Sequence, residues 1–412
     1  MAPIMHHQTM NAAEQTLWVC EQARAIGFDL CGVATIATAP ATRNSPSRSS
    51  SDRTFEELAH LPEWLARGYA GEMNYLRDPR RADPSLVLDG AQSLIVVALN
   101  YNSPSAYSTE LPVTHADELP RGWVSRYAWG DDYHEVASEK LDALVAAMRA
   151  QFGKPFEARS YVDTGPIIER IAAKYAGLGW LAKNTCLINE GMGSWLFLGV
   201  IVTTLDFAPS IPPGEPPAAD LCGNCRLCLD ACPTQAFPAP YVLDASKCIS
   251  YLTIELRGAI PDELRPAIGR AVVGCDICQD VCPWNRKSPV TQVAAFQPRQ
   301  FVPIAENRGN EEKCSESLFA PELEKLASLT QQEFSEIFRD SAVKRAKWRG
   351  IVRNACVALG NSGVERDSDA HRRVVGLLAR LAGSDDPVIS EHARWALTRL
   401  NNPGNVSAAS SD

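Results

Sequence analysis

Residues 222–233 read CGNCRLCLDACP, with four cysteines and a proline directly after the last of them. The spacing C-x2-C-x2-C-x3-C-P is typical of ferredoxins, in which the first three thiolates bind one [4Fe–4S] cube and the fourth binds a neighbouring cube. A second run, CDICQDVCP at residues 275–283, repeats this pattern with one thiol fewer. The two runs together predict a small domain that holds two [4Fe–4S] clusters.

Two clusters need eight thiols, and the two runs reach that number if Cys248 supplies the thiol that the second run lacks. We expect the first cluster to be bound by Cys222, Cys225, Cys228 and Cys282. We expect the second to be bound by Cys232, Cys248, Cys275 and Cys278. A zinc site, which also accepts four thiolates, is the alternative interpretation of these residues. The remaining cysteines are expected to be small buried residues: Cys20, Cys31, Cys186, Cys314 and Cys356.

The composition narrows the class of protein. The chain has 412 residues, enough for two or three domains, and a formal net charge of −9, which argues against coating nucleic acid by bulk charge. No apolar run approaches the length of a membrane-spanning helix, and residues 1–10 do not resemble a secretory signal. We therefore expect a cytoplasmic protein without membrane contact, in which clustered cysteines bind metal rather than form disulfides.

The first 210 residues are predicted to form an α/β (α+β) domain, because strand and helix patterns alternate there. The run 93–101 is apolar throughout and indicates a strand buried on both faces. Further strands are expected at 30–33, 157–162 and 194–205, and helices at 11–26, 55–75, 133–152 and 167–175, with Pro166 in the first turn of the last. The stretch 38–52, rich in Ser, Pro and Thr, indicates a surface loop.

The rest of the chain divides at a proline-rich linker, 209–217. We expect domain boundaries at 1–210, 211–305 for the cluster-binding region, 306–400 for a helical region, and 401–412 for a disordered tail. Ala355 and Ala393 lie 38 residues apart in two similar helical segments, with another apolar helix between them. A helix pair that repeats at about 40 residues is typical of HEAT-like repeats.

Five short motifs resemble the epoxyqueuosine reductases. They are SRYAWG at 125–130, DYH at 132–134, YVDTGP at 161–166, GWLAKNT at 179–185 and GSW at 193–195. Both cysteine runs and the C-terminal helices match as well, so that the resemblance leaves out only the 38–52 loop and the tail. It implies a cobalamin-dependent oxidoreductase that reduces epoxyqueuosine to queuosine at the wobble position of tRNA, with electrons passing through the two clusters to cobalt.

The resemblance also implies roles for single residues. It places the general acid that protonates the leaving oxygen on Asp163. That residue directly precedes a predicted helix, where a carboxylate acts as an N-cap with a lowered pKa, whereas an acid needs a raised one. Cobalamin contacts are expected from Asp163 and from Arg81, Arg126, Lys183, Asn184 and Ser250. The segment 132–137 fits only part of the cobalamin motif D-x-H-x-x-G, since residue 137 is alanine, and we interpret that match as chance.

One segment has the charge that RNA contact requires. Residues 341–353 hold five basic side chains and no acidic one, although the chain is acidic overall. Phosphate contacts are therefore predicted there, with the ordinary solvated helix face as the alternative. The expected RNA-binding residues are Lys344, Arg345, Lys347 and Arg349, together with Arg257; Trp348 is expected in the core.

Two other functions compete with the tRNA-modifying reductase. A reductive dehalogenase shares the plan of cobalamin and two clusters, but such enzymes usually carry an export signal. A ferredoxin-type electron carrier with a docking repeat would need no substrate pocket and would leave the first 210 residues unexplained. For the reductase, the expected partners are the anticodon stem-loop of tRNA and an external electron donor such as flavodoxin or ferredoxin, and the chain is expected to be monomeric.

Overall fold

The computed structural model describes residues 10–36, 55–110, 119–301 and 316–402. The loop expected at 38–52, Cys314, and residues 403–412 of the expected tail lie outside these ranges. Within them, no helix is both long enough and apolar enough to cross a membrane.

The chain forms both strands and helices. The strands are β1 (Leu30–Thr35), β2 (Ser93–Asn100), β3 (Trp123–Val124), β4 (Ala158–Tyr161), β5 (Trp180–Leu181), β6 (Leu187–Ile188), β7 (Leu196–Thr203), β8 (Ala271–Val273), β9 (Gln300–Phe301) and β10 (Glu316–Ser317). The α-helices are α1 (Ala12–Ile26), α2 (Leu61–Ala66), α3 (Tyr133–Phe152), α4 (Glu169–Tyr175), α5 (Leu227–Asp230), α6 (Ile249–Ile254), α7 (Arg265–Ile268), α8 (Ile277–Asp280), α9 (Leu323–Ser328), α10 (Gln331–Ile337), α11 (Lys347–Gly360), α12 (Asp369–Ala382) and α13 (Pro387–Asn401).

A four-stranded sheet organises the N-terminal part, in the order β1-β2-β7-β4 with every neighbouring pair antiparallel. The expected mixed fold is present in its α+β form, because the sheet is antiparallel. The alternation of strands and helices along the chain did not determine the strand direction. All eight residues of β2 are buried, which confirms the predicted strand with two buried faces. Ile95, Val97 and Leu99 face the core shared with α1 and α3, and the even-numbered residues face α4.

Helix α3 begins where its sequence provides a cap. The Asp132 carboxylate accepts a hydrogen bond from the backbone N–H of His134 at 3.2 Å, and Gly153 ends the helix in the left-handed conformation at φ +59°. An Asp cap of this kind contributes about 1 kcal/mol to helix stability. It also fixes Asp132 and His134 beside each other at the edge of the sheet.

The predicted helix at 55–75 is broken. Only Leu61–Ala66 is α-helical, flanked by 3-10 turns at Glu56–His60 and Asn74–Arg77. Gly68 and Gly71 adopt positive φ angles of +76° and +54°, which end the helix. Apolar spacing alone predicts one continuous helix here, and the two glycines break it.

The cysteine-rich region is joined to the first domain by a parallel pairing of β3 with β8 and by Asp276. The Asp276 carboxylate accepts hydrogen bonds from the indole N–H of Trp123 at 3.1 Å, from the hydroxyl of Ser125, and from the backbone N–H of Arg126 at 2.8 Å. Gly274 permits this close approach, since a Cβ there would lie 2.5 Å from that of Ser125. We call this contact the Asp276 seam.

Helices α9 to α13 form the C-terminal part, as the apolar periodicity predicts. Ala355 and Ala393, which occupy matching positions in α11 and α13, are both fully buried. One continuous core runs from the sheet to these helices and includes Trp123 and Trp129, with Phe319 packed against it. The HEAT-like assignment and the domain boundaries stay predictions.

Candidate functional site

Asp163 lies in the turn between β4 and α4, at a backbone φ of +57° that aspartate tolerates better than most residues. Helix α4 begins only at Glu169, so the expectation that Asp163 caps it, with Pro166 in its first turn, is wrong. Gly165 lets the turn close, because a Cβ there would lie 2.4 Å from Cγ of Tyr161. The turn instead presents the Asp163 carboxylate to solvent, with 68% of its side chain exposed.

Two side chains of α3 reach this carboxylate. The phenol of Tyr133 donates a hydrogen bond to Oδ2 of Asp163 at 3.1 Å. His134 Nε2 lies 3.7 Å from the same oxygen, while His134 Nδ1 lies 2.7 Å from Oδ1 of Asp132. The imidazole therefore stands between two carboxylates.

The charges of this group follow from its contacts. Burial raises the pKa of Asp163, but the hydrogen bonds and positive charge of His134 and the Tyr133 hydroxyl outweigh it, so the pKa lies below its usual value. Burial lowers the pKa of His134, but the two flanking carboxylates raise it to about 9. At neutral pH the site thus holds an imidazolium beside a carboxylate. The Asp163 side chain is 68% exposed, yet burial by the surrounding protein is the largest single influence on its pKa. Asp163 therefore lies on the floor of an open cleft.

The same cleft contains a second acidic group and a cation. Burial and then the charge of Asp163 raise the pKa of Glu169 to about 7, and its Oε1 is buried without a hydrogen-bond partner among the described residues. Arg81 donates to the carbonyl oxygens of Tyr75 at 3.2 Å and Ile167 at 3.1 Å, and its guanidinium lies 5.4 Å from the centre of the Tyr75 ring. The Asp163 cleft is defined by Tyr75, Arg81, Tyr127, Tyr133, His134, Asp163 and Glu169.

One set of cysteines surrounds Cys228. Burial raises the pKa of the Cys228 thiol to about 11, and the next contributions come from three neighbouring thiols. Those neighbours are Cys282, Cys222 and Cys225. Lys183, expected to contact cobalamin, instead donates to the carbonyl oxygens of Gly223 and of Cys225, the latter at 2.9 Å. Its charge is therefore committed to the loop that carries these thiols.

A second set lies deeper, beside the Asp276 seam. Burial raises the pKa of Cys275 well above its usual value, and the nearby thiols of Cys248 and Cys232 raise it further. The pKa of Cys278 is raised by a hydrogen bond with Cys186, by burial, and by the thiols of Cys186, Cys275 and Cys248. Backbone and side-chain hydrogen bonds from Ser250 act on the Cys248 thiol against the effect of burial. The eight thiols thus separate into two neighbourhoods.

A zinc site would hold its four sulfurs at ~2.3 Å from one ion. In the described ranges, no three His, Cys, Asp or Glu side chains converge closely enough to hold a single ion.

Cys186 has a place that the sequence did not reveal. Its thiol is hydrogen-bonded to Cys278, and its backbone N–H donates to Oδ1 of Asn184 at 3.2 Å. Asn184, another expected cobalamin contact, also donates from Nδ2 to the carbonyl oxygen of Cys278 at 3.1 Å. These residues support the cysteine loop, so Cys186 is more than the small buried residue we expected.

Arg126 is enclosed rather than available to a cofactor. It is 1% exposed, and its guanidinium donates to the carbonyl oxygens of Ser103 at 2.6 Å and Ser105 at 3.1 Å. The aromatic rings of Trp129, Trp195 and Tyr107 surround it at 4.8, 5.1 and 5.3 Å. The expected contact with cobalamin is therefore replaced by a structural role.

The basic segment borders the Asp163 cleft. Arg345 lies 5.8 Å from the centre of the Tyr75 ring, and its guanidinium pairs with the Glu255 carboxylate at 2.8 and 2.9 Å. Lys344 pairs with Asp132 at 2.7 Å. Arg349 pairs with Asp386, and Arg257 donates to the carbonyl oxygen of Ala346 at 3.4 Å. Lys347 is exposed, whereas Arg353 is buried and holds backbone carbonyl oxygens of the cysteine-rich region.

His134 and Glu169 are the site residues that sequence reasoning missed. The segment 132–134 fits part of a cobalamin motif, but that partial match does not indicate that His134 pairs with Asp132 and Asp163. Nothing in the sequence signals the role of Glu169, because its pKa depends on burial next to Asp163.

Comparisons with known proteins agree with this arrangement. The chain matches the family model described as "Epoxyqueuosine reductase QueG, DUF1730" over residues 81–164 and a "4Fe-4S double cluster binding domain" over residues 221–285. It is 38% identical to the epoxyqueuosine reductase of Pseudomonas aeruginosa over 346 residues, which cover 84% of this chain and 87% of that protein.

Solved structures agree along most of the chain. A crystal structure of epoxyqueuosine reductase with an epoxyqueuosine-modified tRNA-Tyr stem loop superposes with a TM-score of 0.75 at 30% identity, covering 96% of this chain and 92% of that one. The Bacillus subtilis epoxyqueuosine reductase, solved with an aspartate-bearing catalytic loop swung out of its active site, gives 0.72 at 29% identity and the same coverage.

Proposed function

Because the chain belongs to the epoxyqueuosine reductase family, we propose that it reduces epoxyqueuosine to queuosine at the wobble position of tRNA. The observation that carries this proposal is the Asp163 cleft, in which an exposed carboxylate lies near Arg345 of the basic segment. Tyr127 of the same cleft lies beside Gly274, the residue before Cys275 of the second cysteine set. A ferredoxin-type carrier would not need this cleft. A reductive dehalogenase would not need the basic segment at its edge.

The cysteine-rich region binds two [4Fe–4S] clusters, and its family match favours clusters over zinc. We assign the ligands as the sequence predicts. Cys222, Cys225, Cys228 and Cys282 hold the first cluster, and Cys232, Cys248, Cys275 and Cys278 hold the second. The second set lies beside the Asp276 seam, close to Tyr127 of the cleft, and is therefore the set nearer the substrate. Electrons from an external flavodoxin or ferredoxin accordingly pass from the first cluster to the second and then to the cleft.

The Asp163 cleft suits cobalamin. Glu169 Oε1 is a buried acceptor without a hydrogen-bond donor among the described residues, and the neighbouring Asp163 carboxylate is exposed, so the floor fits a group that carries amide donors, as a corrin does. Asp163 and Glu169 would hold it from the floor of the cleft, whereas Arg81, like Arg126, already donates to backbone carbonyl oxygens, and Ser250 lies at the Cys248 thiol. When bound, cobalamin supplies the cobalt centre that passes electrons to the epoxide.

Asp163 is the residue that delivers a proton to the leaving oxygen. In the open cleft it is ionised, as its lowered pKa requires. Covering the cleft removes water from the carboxylate, which disfavours its charge and raises its pKa toward that of an acid. The aspartate thereby changes from an ionised to a protonated group as the site closes.

The basic segment binds the anticodon stem-loop. All five basic side chains are exposed and offer charge to phosphate oxygens: Arg345, Lys344, Lys347, Arg349 and Arg257. Arg345, at the Tyr75 ring, and Lys344, paired with Asp132, bring this charge to the cleft. Several of these side chains pair with carboxylates, which RNA phosphates would displace. The protein acts as a cytoplasmic monomer.

Anaerobic reconstitution with iron, sulfide and cobalamin tests the proposal. We expect eight irons and one cobalt per chain and conversion of an epoxyqueuosine-modified stem loop. Asp163→Asn should retain iron and cobalt yet lose ~100-fold or more of the turnover, as expected for removal of a general acid. Bound iron without cobalt would contradict the reductase and favour an electron carrier.

The ligand assignment has its own test. Cys228→Ala should damage the first cluster and Cys248→Ala the second, each lowering the iron content while leaving the other cluster's spectrum. Cys356→Ala, at a fully buried cysteine in α11, is the matched control and should keep all the iron. Full iron content in both ligand variants would refute the assignment.

A further inference from the structure

Three ionisable side chains stand in a row at the start of α3. Asp132 Oδ1 lies 2.7 Å from Nδ1 of His134, and the opposite ring nitrogen lies 3.7 Å from Oδ2 of Asp163. The Tyr133 ring stacks on the imidazole at 4.0 Å and holds its plane. Asp132 is 2% exposed and is tied at its other oxygen to Lys344 at 2.7 Å. The imidazole is therefore oriented by a fixed acceptor, with its second nitrogen toward Asp163.

The proposed reaction needs more protons than one carboxyl group holds. Reduction of an epoxide to an alkene consumes two electrons and two protons, and the oxygen leaves as water. Both carbon–oxygen bonds break, and the electrons come from the external one-electron donor through the clusters. A single Asp163 must be protonated again within one turnover.

We propose that His134, oriented by Asp132, returns protons to Asp163 and so acts as a positioning and proton-supplying residue for the reduction. The inference rests on the proposed function. Each transfer moves one proton from Nε2 to the carboxylate, which then gives it to the departing oxygen. The imidazole, 31% exposed, takes its next proton from water.

The electrostatics are consistent with this direction. In the open cleft the pair stores its proton on His134, whose pKa is about 9. Covering the cleft disfavours an ion pair relative to the two neutral groups, because both charges lose water. The proton therefore moves from the imidazolium to the carboxylate only when the site closes.

Other charges bear on the His134 pKa and enter any pH profile. Asp132 and Asp163 flank the ring directly, and Lys344 pairs with both Asp132 and Glu135. The Tyr133 phenol and Arg170 act through Asp163.

The test is the pH dependence of kcat/KM on an epoxyqueuosine-modified stem loop, with reconstituted wild type and variants. His134→Gln keeps hydrogen bonding but carries no proton, and it should lower kcat by ~100-fold with unchanged iron and cobalt content. Asp132→Asn keeps a cap for α3, and its high-pH limb should move down from near 9 by about one to two units, toward the ordinary histidine pKa. His60→Gln, at an exposed histidine outside the cleft, is the matched control and should match wild type.

The outcomes separate the inference from the proposed function. If wild type converts the stem loop but His134→Gln equals it, or the limb stays in place in Asp132→Asn, the role of His134 is refuted while the reductase stands. If reconstituted wild type does not convert the stem loop, the proposed function fails before His134 is tested. A fall in kcat with an unmoved limb in Asp132→Asn would also overturn the inference, since a merely structural role predicts that result.

Discussion

Replacing Arg126 by methionine should destabilise the protein by about 3–5 kcal/mol, the usual cost of breaking a buried charged contact. The guanidinium donates hydrogen bonds to the carbonyl oxygens of Ser103 at 2.6 Å and Ser105 at 3.1 Å, the first of them buried. Each hydrogen bond to a charged group contributes about 1.5–3 kcal/mol, and the desolvated aromatic rings add about 2 kcal/mol. Methionine keeps the apolar stem and removes the desolvation cost of the charge, which offsets part of this sum.

The loss also reaches Asp276. Burial raises the pKa of Asp276, and the charge of Arg126 is among the contacts that lower it. Without that charge, a buried carboxylate at the Asp276 seam loses part of its compensation. Since a domain is stable by only about 5–15 kcal/mol, the expected change is a large share of the total.

Anaerobic urea unfolding of the reconstituted protein, followed by tryptophan fluorescence, measures this effect because Trp129 and Trp195 flank the guanidinium. Arg159→Met is the matched control, since exposed Arg159 makes one carbonyl contact, to Val87 at 2.9 Å, and should cost less than about 1 kcal/mol. A folded Arg126→Met protein with wild-type stability and tenfold weaker cobalamin binding would refute the structural role and restore Arg126 as a cofactor contact.

Three further predictions concern the site. Gly165→Ala should lower kcat by about tenfold or more without loss of iron, because the new Cβ forces the Asp163 turn open. Steady-state turnover of the modified stem loop measures kcat. Arg345→Met should weaken stem-loop binding and make the plot of log binding constant against log salt concentration shallower by about one, as expected for one lost phosphate contact. Cys186→Ala should lower the reduction potential of the second cluster, because a hydrogen bond to the Cys278 sulfur is lost; an EPR redox titration measures it.

Each of these has a control of the same type. Gly258→Ala adds a Cβ that meets nothing within 4 Å and should leave kcat unchanged. Arg372→Met removes an exposed charge on α12, away from the cleft, and should not change binding. Cys356→Ala should leave both potentials in place. Wild-type values in the three test variants would contradict the roles given to Gly165, Arg345 and Cys186.

The sequence predicted the features that depend on local spacing. The central strand at 93–101, the helix at 133–152 and the cluster-binding region follow from apolar periodicity and cysteine spacing, and the structure or the family match confirms them. The helix at 55–75 was wrong because local breakers outweighed an apolar stripe. Strand direction was not predictable, since it depends on contacts between distant segments.

The site was predicted in part for the same reason. Asp163 was found through a motif, but its turn, its ionised state and its histidine neighbour come from β4, α3 and α4 meeting at one edge of the sheet. The sequence does not distinguish Arg126, Lys183 and Asn184 from residues that bind a ligand. Only the surrounding carbonyl oxygens show that their donors are already used within the protein.

The Asp276 seam has a consequence for synthesis on the ribosome. Strand β3 pairs with β8, and Trp123 and Ser125 bond to Asp276. About 150 further residues must therefore be synthesised before these contacts can form. Phe319, which packs on Trp123, emerges later still. The first domain therefore cannot complete its core as a nascent chain, and shortened chains that end before the C-terminal helices should yield protein without a formed cleft rather than a partly active reductase.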